Sequence, residues 1–202
     1  MYGLKHAPRT WNKRIDSFLH CEDFKKCTVD HGIYVKTIKD GGVLLICLYV
    51  DDLLIIGSNP AEIEKLKGNL KSEFEMSDLG LLSYFLGIEF AETKDGIVMH
   101  QKKYIKEVLK RFSMDQCHKV DTPVEGNLKL DTDDHEASVD ATLFRQLVEC
   151  LRFVCHSRPE ISYGVGLVSR FMSNPKQSHL AAAKRILRYL KGTLDYGILF
   201  PH

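Results

Sequence analysis

The chain has 202 residues, of which 44% are hydrophobic and 27% charged, with 28 lysines and arginines against 27 aspartates and glutamates. That length can bury a real core, as one large domain or two small subdomains, and the composition excludes a disordered chain and a histone-like basic protein. A net charge of +1 leaves room for a local basic groove, which only the distribution of charge along the chain can reveal.

In chain order, Trp11, Ile15, Phe18 and Leu19 recur at helical spacing and predict a helix over residues 9–20. Residues 32–38, rich in β-branched and aromatic side chains, read as a strand, Asp40-Gly41-Gly42 as a turn, and the apolar run 43–50 as the return strand. A further strand over 53–56 leaves Asp51-Asp52 at a hairpin tip. Ser58 or Asn59 then caps a helix that has Pro60 in its first turn and Ile63, Leu66, Leu70 and Phe74 as its buried stripe. A second hairpin pairs 84–90 with 97–99 across the turn Lys94-Asp95-Gly96, and a domain boundary is expected near Gln101.

Beyond it, Tyr104, Ile105, Val108, Leu109 and Phe112 mark one face of a helix whose other face carries lysines. Residues 115–140, with Pro123, Gly126 and the acidic run Asp131-Thr132-Asp133-Asp134, read as a long surface linker. Three helices are expected after it, over 141–155, 159–172 and 179–191.

The six cysteines are too sparse for a disulfide framework and contain no Cys-x-x-Cys pair, so a reduced intracellular compartment, cytoplasmic or particle-associated, is the expectation. No stretch approaches the ~20 apolar residues of a membrane span, and no membrane partner is expected. The nine histidines show no i, i+4 pair and read as surface or internally satisfied residues. Cys150 and Cys155 read as small buried hydrophobes.

The sharpest feature is Tyr49-Val50-Asp51-Asp52, two adjacent acids at the end of one apolar strand and the start of another. Carboxylates at a tight tip suit a divalent cation, and phosphoryl transfer uses such cations to clamp the attacking and leaving oxygens. On composition alone, a polar hairpin turn is an equal alternative. Basic residues repeat on two helices: Lys102, Lys106 and Lys110 on one, Lys184, Arg188 and Lys191 on the other, the latter opposite Leu180, Ala183, Leu187 and Leu190. Each is either a solvated face or a surface for phosphate contact.

Tyr49-Val50-Asp51-Asp52 resembles the palm signature of reverse transcriptases from copia-type long-terminal-repeat retrotransposons. The segments 2–11, Tyr84-Phe85-Leu86-Gly87-Ile88, Gln101-Lys102-Lys103-Tyr104-Ile105, Ser157-Arg158-Pro159-Glu160-Ile161-Ser162, Ser169-Arg170-Phe171-Met172 and 184–193 are similar to blocks of that family in the same order. The resemblance implies an α+β fold: a partial right-hand polymerase palm over residues 1–100, an antiparallel sheet with helices, then a mainly helical thumb and connection region over 101–202.

By the same resemblance, Asp51 and Asp52 are the catalytic, metal-binding carboxylates for Mg²⁺ or Mn²⁺, and Tyr49 and Val50 line the primer terminus. Tyr2 and Gly3 approach the incoming nucleotide and template, while the lysine-bearing helices follow the nucleic-acid backbone. Implied partners are an RNA or DNA primer-template, deoxynucleotides and other polyprotein segments.

His6 stands where the family has Gln, and Glu149 where it has Gly, a glycine that suggests a close helix contact a carboxylate would disturb. The family places a further palm carboxylate upstream of the block at which this sequence begins, and a ribonuclease H domain after its end. The expectation is therefore a fragment of an RNA-directed DNA polymerase that is inactive in isolation. The alternatives are a non-catalytic remnant that binds nucleic acid and, with less support, a palm-like nucleotide cyclase.

Overall fold

Helix α1 spans Ala7–Cys21 and buries Ile15 and Leu19, one turn apart on the same face. The strands that follow, β1 (Lys25–Lys26), β2 (Ile33–Thr37), β3 (Val43–Tyr49) and β4 (Asp52–Gly57), form one antiparallel sheet in sequence order. Helix α2 (Pro60–Glu73) starts where the Asn59 side chain accepts from the Ala61 and Glu62 amides, with Pro60 at its first position. Tyr34, Leu44 and Ile46 from the sheet join Ile15 and Leu19 of α1 and Leu66, Leu70 and Phe74 of α2 and its cap in a single buried cluster. In the computed structural model, the described residues are 7–39, 41–131 and 135–201.

The two-residue strand β1 was not legible in the sequence, because two lysines carry no strand signal. Its anchor is Asp16 of α1, whose Oδ1 accepts from Lys26 Nζ at 2.8 Å and from Tyr34 Oη at 2.6 Å. These hydrogen bonds, that of Lys26 foremost, hold the Asp16 carboxyl below its ordinary range. A carboxyl with a lowered folded value contributes stability above its unfolded value and loses it as pH falls through the folded one. Asp16→Asn should therefore cost about 1–2 kcal/mol near neutrality, a figure reduced by the partial exposure of the pair. The melting difference from the parent chain should shrink as pH falls below the ordinary carboxylate range and through the lowered folded value, where the parent carboxyl itself takes up a proton. Thermal melts at several pH values check this.

The second unit begins at Ser83, whereas the sequence pattern suggested a boundary near Gln101. The reason is β8 (Ile198–Pro201), which pairs with β7 (Gly96–His100) and ties the hairpin to the far end of the chain. The sheet order is β5 (Tyr84–Phe85), β6 (Ile88–Thr93), β7, β8, all antiparallel. The expected single strand over 84–90 is broken at Leu86 and Gly87, with φ of 51° and 84°. Positive φ at both central residues is the signature of a type I′ hairpin turn, and Gly87 supplies one of them without steric cost.

Helices α3 (Lys102–Arg111), α4 (Ala141–Val154), α5 (Ser162–Ser169) and α6 (Gln177–Gly192) share one apolar core, centred on Leu109, Phe144, Leu151, Val165, Ile186 and Leu190. The helix expected over 159–172 is a 3-10 turn, Pro159–Ile161, followed by α5, and it ends at Ser169. Gly164 allows close packing there: a Cβ would lie 2.6 Å from Val124 Cγ2 and 3.3 Å from Ile186 Cδ1.

The described residues of 115–140 hold no helix or strand, and several of them dock on the rest of the second unit. Val120, Leu128 and Leu130 pack on the helical core, and the Glu136 carboxylate accepts from the Ser178 hydroxyl at 2.7 Å and from its amide at the start of α6. His179, fully buried, accepts at Nδ1 from the Lys176 amide at 3.0 Å. Its Nε2–H donates to the Asp131 carbonyl at 3.0 Å, and the ring stacks on Phe171. This is the internally satisfied histidine expected from sequence. Residues 132–134 of the acidic run lie outside the described residues.

The described residues form an α+β fold with two antiparallel sheets. Among the described residues no helix is long and apolar enough to cross a membrane. The six cysteines are all free thiols.

Candidate functional site

Strands β3 and β4 stay in register up to the pair Tyr49 and Asp52, so Val50 and Asp51 are the two residues of the turn. The turn arises where an apolar strand that buries Leu44 and Ile46 runs into two acids that must remain in water. All four residues are exposed, Tyr49 by 55% and Val50 by 66%. Alternation along β3 sets Tyr49 on the face opposite Leu44 and Ile46, and its cross-strand partner Asp52 shares that face. The Asp52 carboxylate therefore emerges on the side of the sheet that the helical core of the first unit does not cover.

Val50 has φ of 53°, a conformation uncommon for any residue with a side chain and strained for a β-branched one. Such backbone costs on the order of 1–3 kcal/mol and persists only where its surroundings hold it. The Val50 carbonyl accepts from Trp11 Nε1 of α1 at 2.7 Å. Sequence periodicity placed Trp11 on the apolar stripe of α1 and gave no hint of this bond. The available signal is chemical: an indole buries an apolar body but still requires an acceptor for its N–H.

Asp51 and Asp52 are hard oxygen donors of the kind Mg²⁺ takes, and Mg²⁺ retains waters and substrate phosphates as its other ligands. Among the described residues no group of three His, Cys, Asp or Glu side chains is placed to hold a metal ion. The pair thus fits the cation in chemical kind and would fill only part of a coordination shell. Tyr2 and Gly3, and the departure at His6, lie outside the described residues.

The basic residues divide. On α3, Lys106 and Lys110 are exposed, whereas Lys102 donates to Asp195, whose carboxyl is held below its ordinary range chiefly by that bond. On α6, Lys184 is exposed, Arg188 is half-buried with its Nε unpartnered, and Lys191 donates to the Cys117 carbonyl at 2.7 Å. Arg185, beside them, pairs with Glu125 at 2.8 Å and bonds Thr122 at 3.0 Å.

Two of the blocks that carried the resemblance meet in the interior. With its amide nitrogen turned toward α4, the buried Gln101 donates to the Phe153 and Val154 carbonyls, each at 3.2 Å, and to Ser157 Oγ at 2.8 Å. It thereby satisfies carbonyls at the end of that helix. Arg158 is 1% exposed. Its Nε donates to Glu160 Oε1 at 2.7 Å and its Nη1 to the Thr193 carbonyl at 2.9 Å, while the guanidinium lies over the Tyr189 and Tyr196 rings. These blocks are structural clamps of the second unit.

Glu149 crowds no helix contact, contrary to the expectation drawn from a glycine at that position. Its side chain is exposed and pairs with Arg152 at 3.3 Å. It edges a groove of about 380 Å³ between α3 and α4, shared with Tyr104, Arg111, Arg145 and Gln146. Burial, together with a hydrogen bond to Cys150, raises the Tyr104 phenol above its ordinary range.

A family model described as "Reverse transcriptase (RNA-dependent DNA polymerase)" matches residues 1–126, more than half of the chain and inclusive of the carboxylate hairpin. The chain is 39% identical over 203 residues to the retrovirus-related Pol polyprotein from transposon TNT 1-94 of Nicotiana tabacum, a match covering 96% of this chain and 15% of that protein. It is 36% identical over 198 residues to the Pol polyprotein from transposon RE1 of Arabidopsis thaliana, covering 98% of this chain and 13% of the relative. It is 34% identical over 195 residues to the putative transposon Ty5-1 protein of Saccharomyces cerevisiae, covering 96% of this chain and 63% of that one. The chain therefore spans a small part of the polyproteins it resembles. No solved structure matches it. With the Tyr49-Val50-Asp51-Asp52 hairpin in place and these relatives in hand, the chain belongs to the reverse transcriptase family, in its copia-type retrotransposon branch.

Proposed function

We propose that the chain is the later palm, thumb and connection portion of an RNA-directed DNA polymerase, which extends a primer 3′ end by divalent-metal-dependent nucleotidyl transfer. The observation that carries this reading is the pair of exposed carboxylates on a strained tip tied to α1. Asp51 and Asp52 would hold Mg²⁺ or Mn²⁺, and the cation when bound would stabilise charge on the reacting phosphate oxygens. Tyr49 and Val50, exposed beside the acids, present an apolar surface to the primer terminus. Lys106, Lys110 and Lys184, which remain exposed, would meet backbone phosphates in a salt-sensitive and sequence-independent manner.

Among the described residues β4 pairs only with β3, so its outer edge, which begins at Asp52, is open to a further strand. Because no third carboxylate joins Asp51 and Asp52 among the described residues, a strand added along that edge from another polyprotein segment would complete the metal site, and the two acids alone would not support extension.

The test is a chimera in which this chain replaces its matching segment in the tobacco TNT 1-94 polyprotein, assayed for deoxynucleotide incorporation on an RNA template. Metal-dependent extension by the chimera and none by the chain alone is the expected result. Extension by the isolated chain would contradict the need for a further carboxylate. A folded chimera that retains duplex salt-sensitively yet incorporates nothing under any metal would replace the catalytic reading with that of a nucleic-acid-binding remnant.

A further inference from the structure

The acids at the tip are only as well placed as the peptide units that carry them, and the tip is conformationally unfavourable by itself. Val50 is β-branched and sits at φ 53°, and two-thirds of its surface faces solvent, so packing of its own side chain does not hold it. What reaches it is the indole of Trp11, thirty-nine positions away in sequence, whose Nε1 lies 2.7 Å from the Val50 carbonyl oxygen. That oxygen belongs to the planar peptide unit that ends at the Asp51 nitrogen, so anchoring it fixes the plane from which Asp51 departs.

The indole is itself immobilised. Its ring meets Phe74 edge to face at 5.3 Å, and Phe74 meets Phe18 of α1 in the same manner at 5.2 Å. The Arg14 guanidinium lies 5.1 Å from the centroid of the Phe74 ring and pairs with Glu73 Oε1 at 3.0 Å. An aromatic clamp built from α1 and the end of α2 thus terminates in one N–H aimed at the carboxylate tip.

We infer that Trp11 is the positioning residue of the carboxylate pair: its indole N–H locks the strained Val50–Asp51 peptide so that Asp51 and Asp52 are presented to a divalent cation in a preformed arrangement. The inference rests on the proposed metal role of those acids, and its first test does not depend on that role. The contribution is preorganisation, which spares the metal the ordering of a mobile turn. No other tryptophan occurs in the chain, so the indole N–H gives a single, unambiguous resonance.

In the unmodified chain that N–H should exchange slowly with solvent, as a hydrogen-bonded donor does; fast exchange would overturn the inference without recourse to any variant. Trp11→Phe keeps an aromatic ring against Phe74 and removes only the donor. Amide exchange in the peptide covering residues 48–53 should then accelerate about three- to tenfold, the range one net hydrogen bond supplies, with residues 33–37 unchanged. Mn²⁺ binding, followed by electron paramagnetic resonance, should weaken by a similar factor.

Phe74→Leu, which loosens the clamp but leaves the donor, should give a smaller change in both readings. Unaltered tip exchange in a folded Trp11→Phe chain would overturn the inference. Absence of Mn²⁺ binding in the unmodified chain would instead count against the proposed metal role, with the exchange comparison still deciding whether Trp11 holds the tip.

Discussion

Asp51→Asn in the polymerase chimera should lower the rate of primer extension by on the order of a thousandfold, equivalent to about 4 kcal/mol of transition-state stabilisation. An amide keeps the size and turn preference of aspartate but removes the negative charge that holds a hard divalent cation. Because Asn is well tolerated at such a turn, the hairpin itself should survive, with β3 and β4 still paired up to Tyr49 and Asp52. Under the proposed function the loss should appear in kcat with the affinity for primer-template little changed, since duplex would be gripped by basic residues elsewhere and the metal would act on the reacting phosphate. Asp52→Asn should cost less, about ten- to a hundredfold, if Asp51 has the more direct part. Equal activity of the Asp51→Asn and parent chimeras would remove Asp51 from catalysis.

Arg158→Ala should have the largest effect on stability. The guanidinium is almost wholly buried between the end of α4 and the end of α6, where it meets a carboxylate, a backbone carbonyl and two aromatic faces. Its removal leaves the Thr193 carbonyl without this donor and opens a void beside Tyr189 and Tyr196. Breaking a buried pair of this kind costs about 3–5 kcal/mol; the partial exposure of Glu160, which can recover water, favours the lower end. The midpoint for loss of helical circular dichroism should fall by on the order of 10 °C or more. Arg158→Lys should recover little of it, because an ammonium cannot present the planar fork that bridges Glu160 and Thr193 at once. A parental melting curve for Arg158→Ala would show that the clamp is dispensable.

What the sequence revealed and what it hid follow from the range of each interaction. The apolar run into Asp51-Asp52, the Asn59-Pro60 helix start and the stripe of α3 are local patterns, and each was legible within a few residues. β1 and β8 were hidden because each exists only through a partner elsewhere in the chain, and neither two lysines nor a short apolar tail announces a strand. The same non-local pairing moved the division between compact units from the neighbourhood of Gln101 to Ser83.

Polarity marked 115–140 as a surface linker but gave no sign that a few apolar residues and one carboxylate dock its described part on the helical core and on the start of α6. The acids of the candidate site were visible as residue types. Their anchor was not, because a hydrogen bond from Trp11 to Val50 leaves no periodic trace. Lysine spacing likewise identified two basic faces but could not show that Lys102 and Lys191 are engaged within the fold.

Under the proposed function, Asp51 and Asp52 are two of the metal-binding carboxylates of a reverse transcriptase, held on a preformed hairpin tip. The most direct measurement is a titration of the isotopically labelled chain with substoichiometric Mn²⁺, read by paramagnetic broadening of amide and indole resonances. Selective broadening is expected at Val50, Asp51, Asp52 and the Trp11 indole N–H, abolished in the Asp51→Asn, Asp52→Asn double variant. Broadening that is absent from the tip, or that persists unchanged in the double variant, would contradict it.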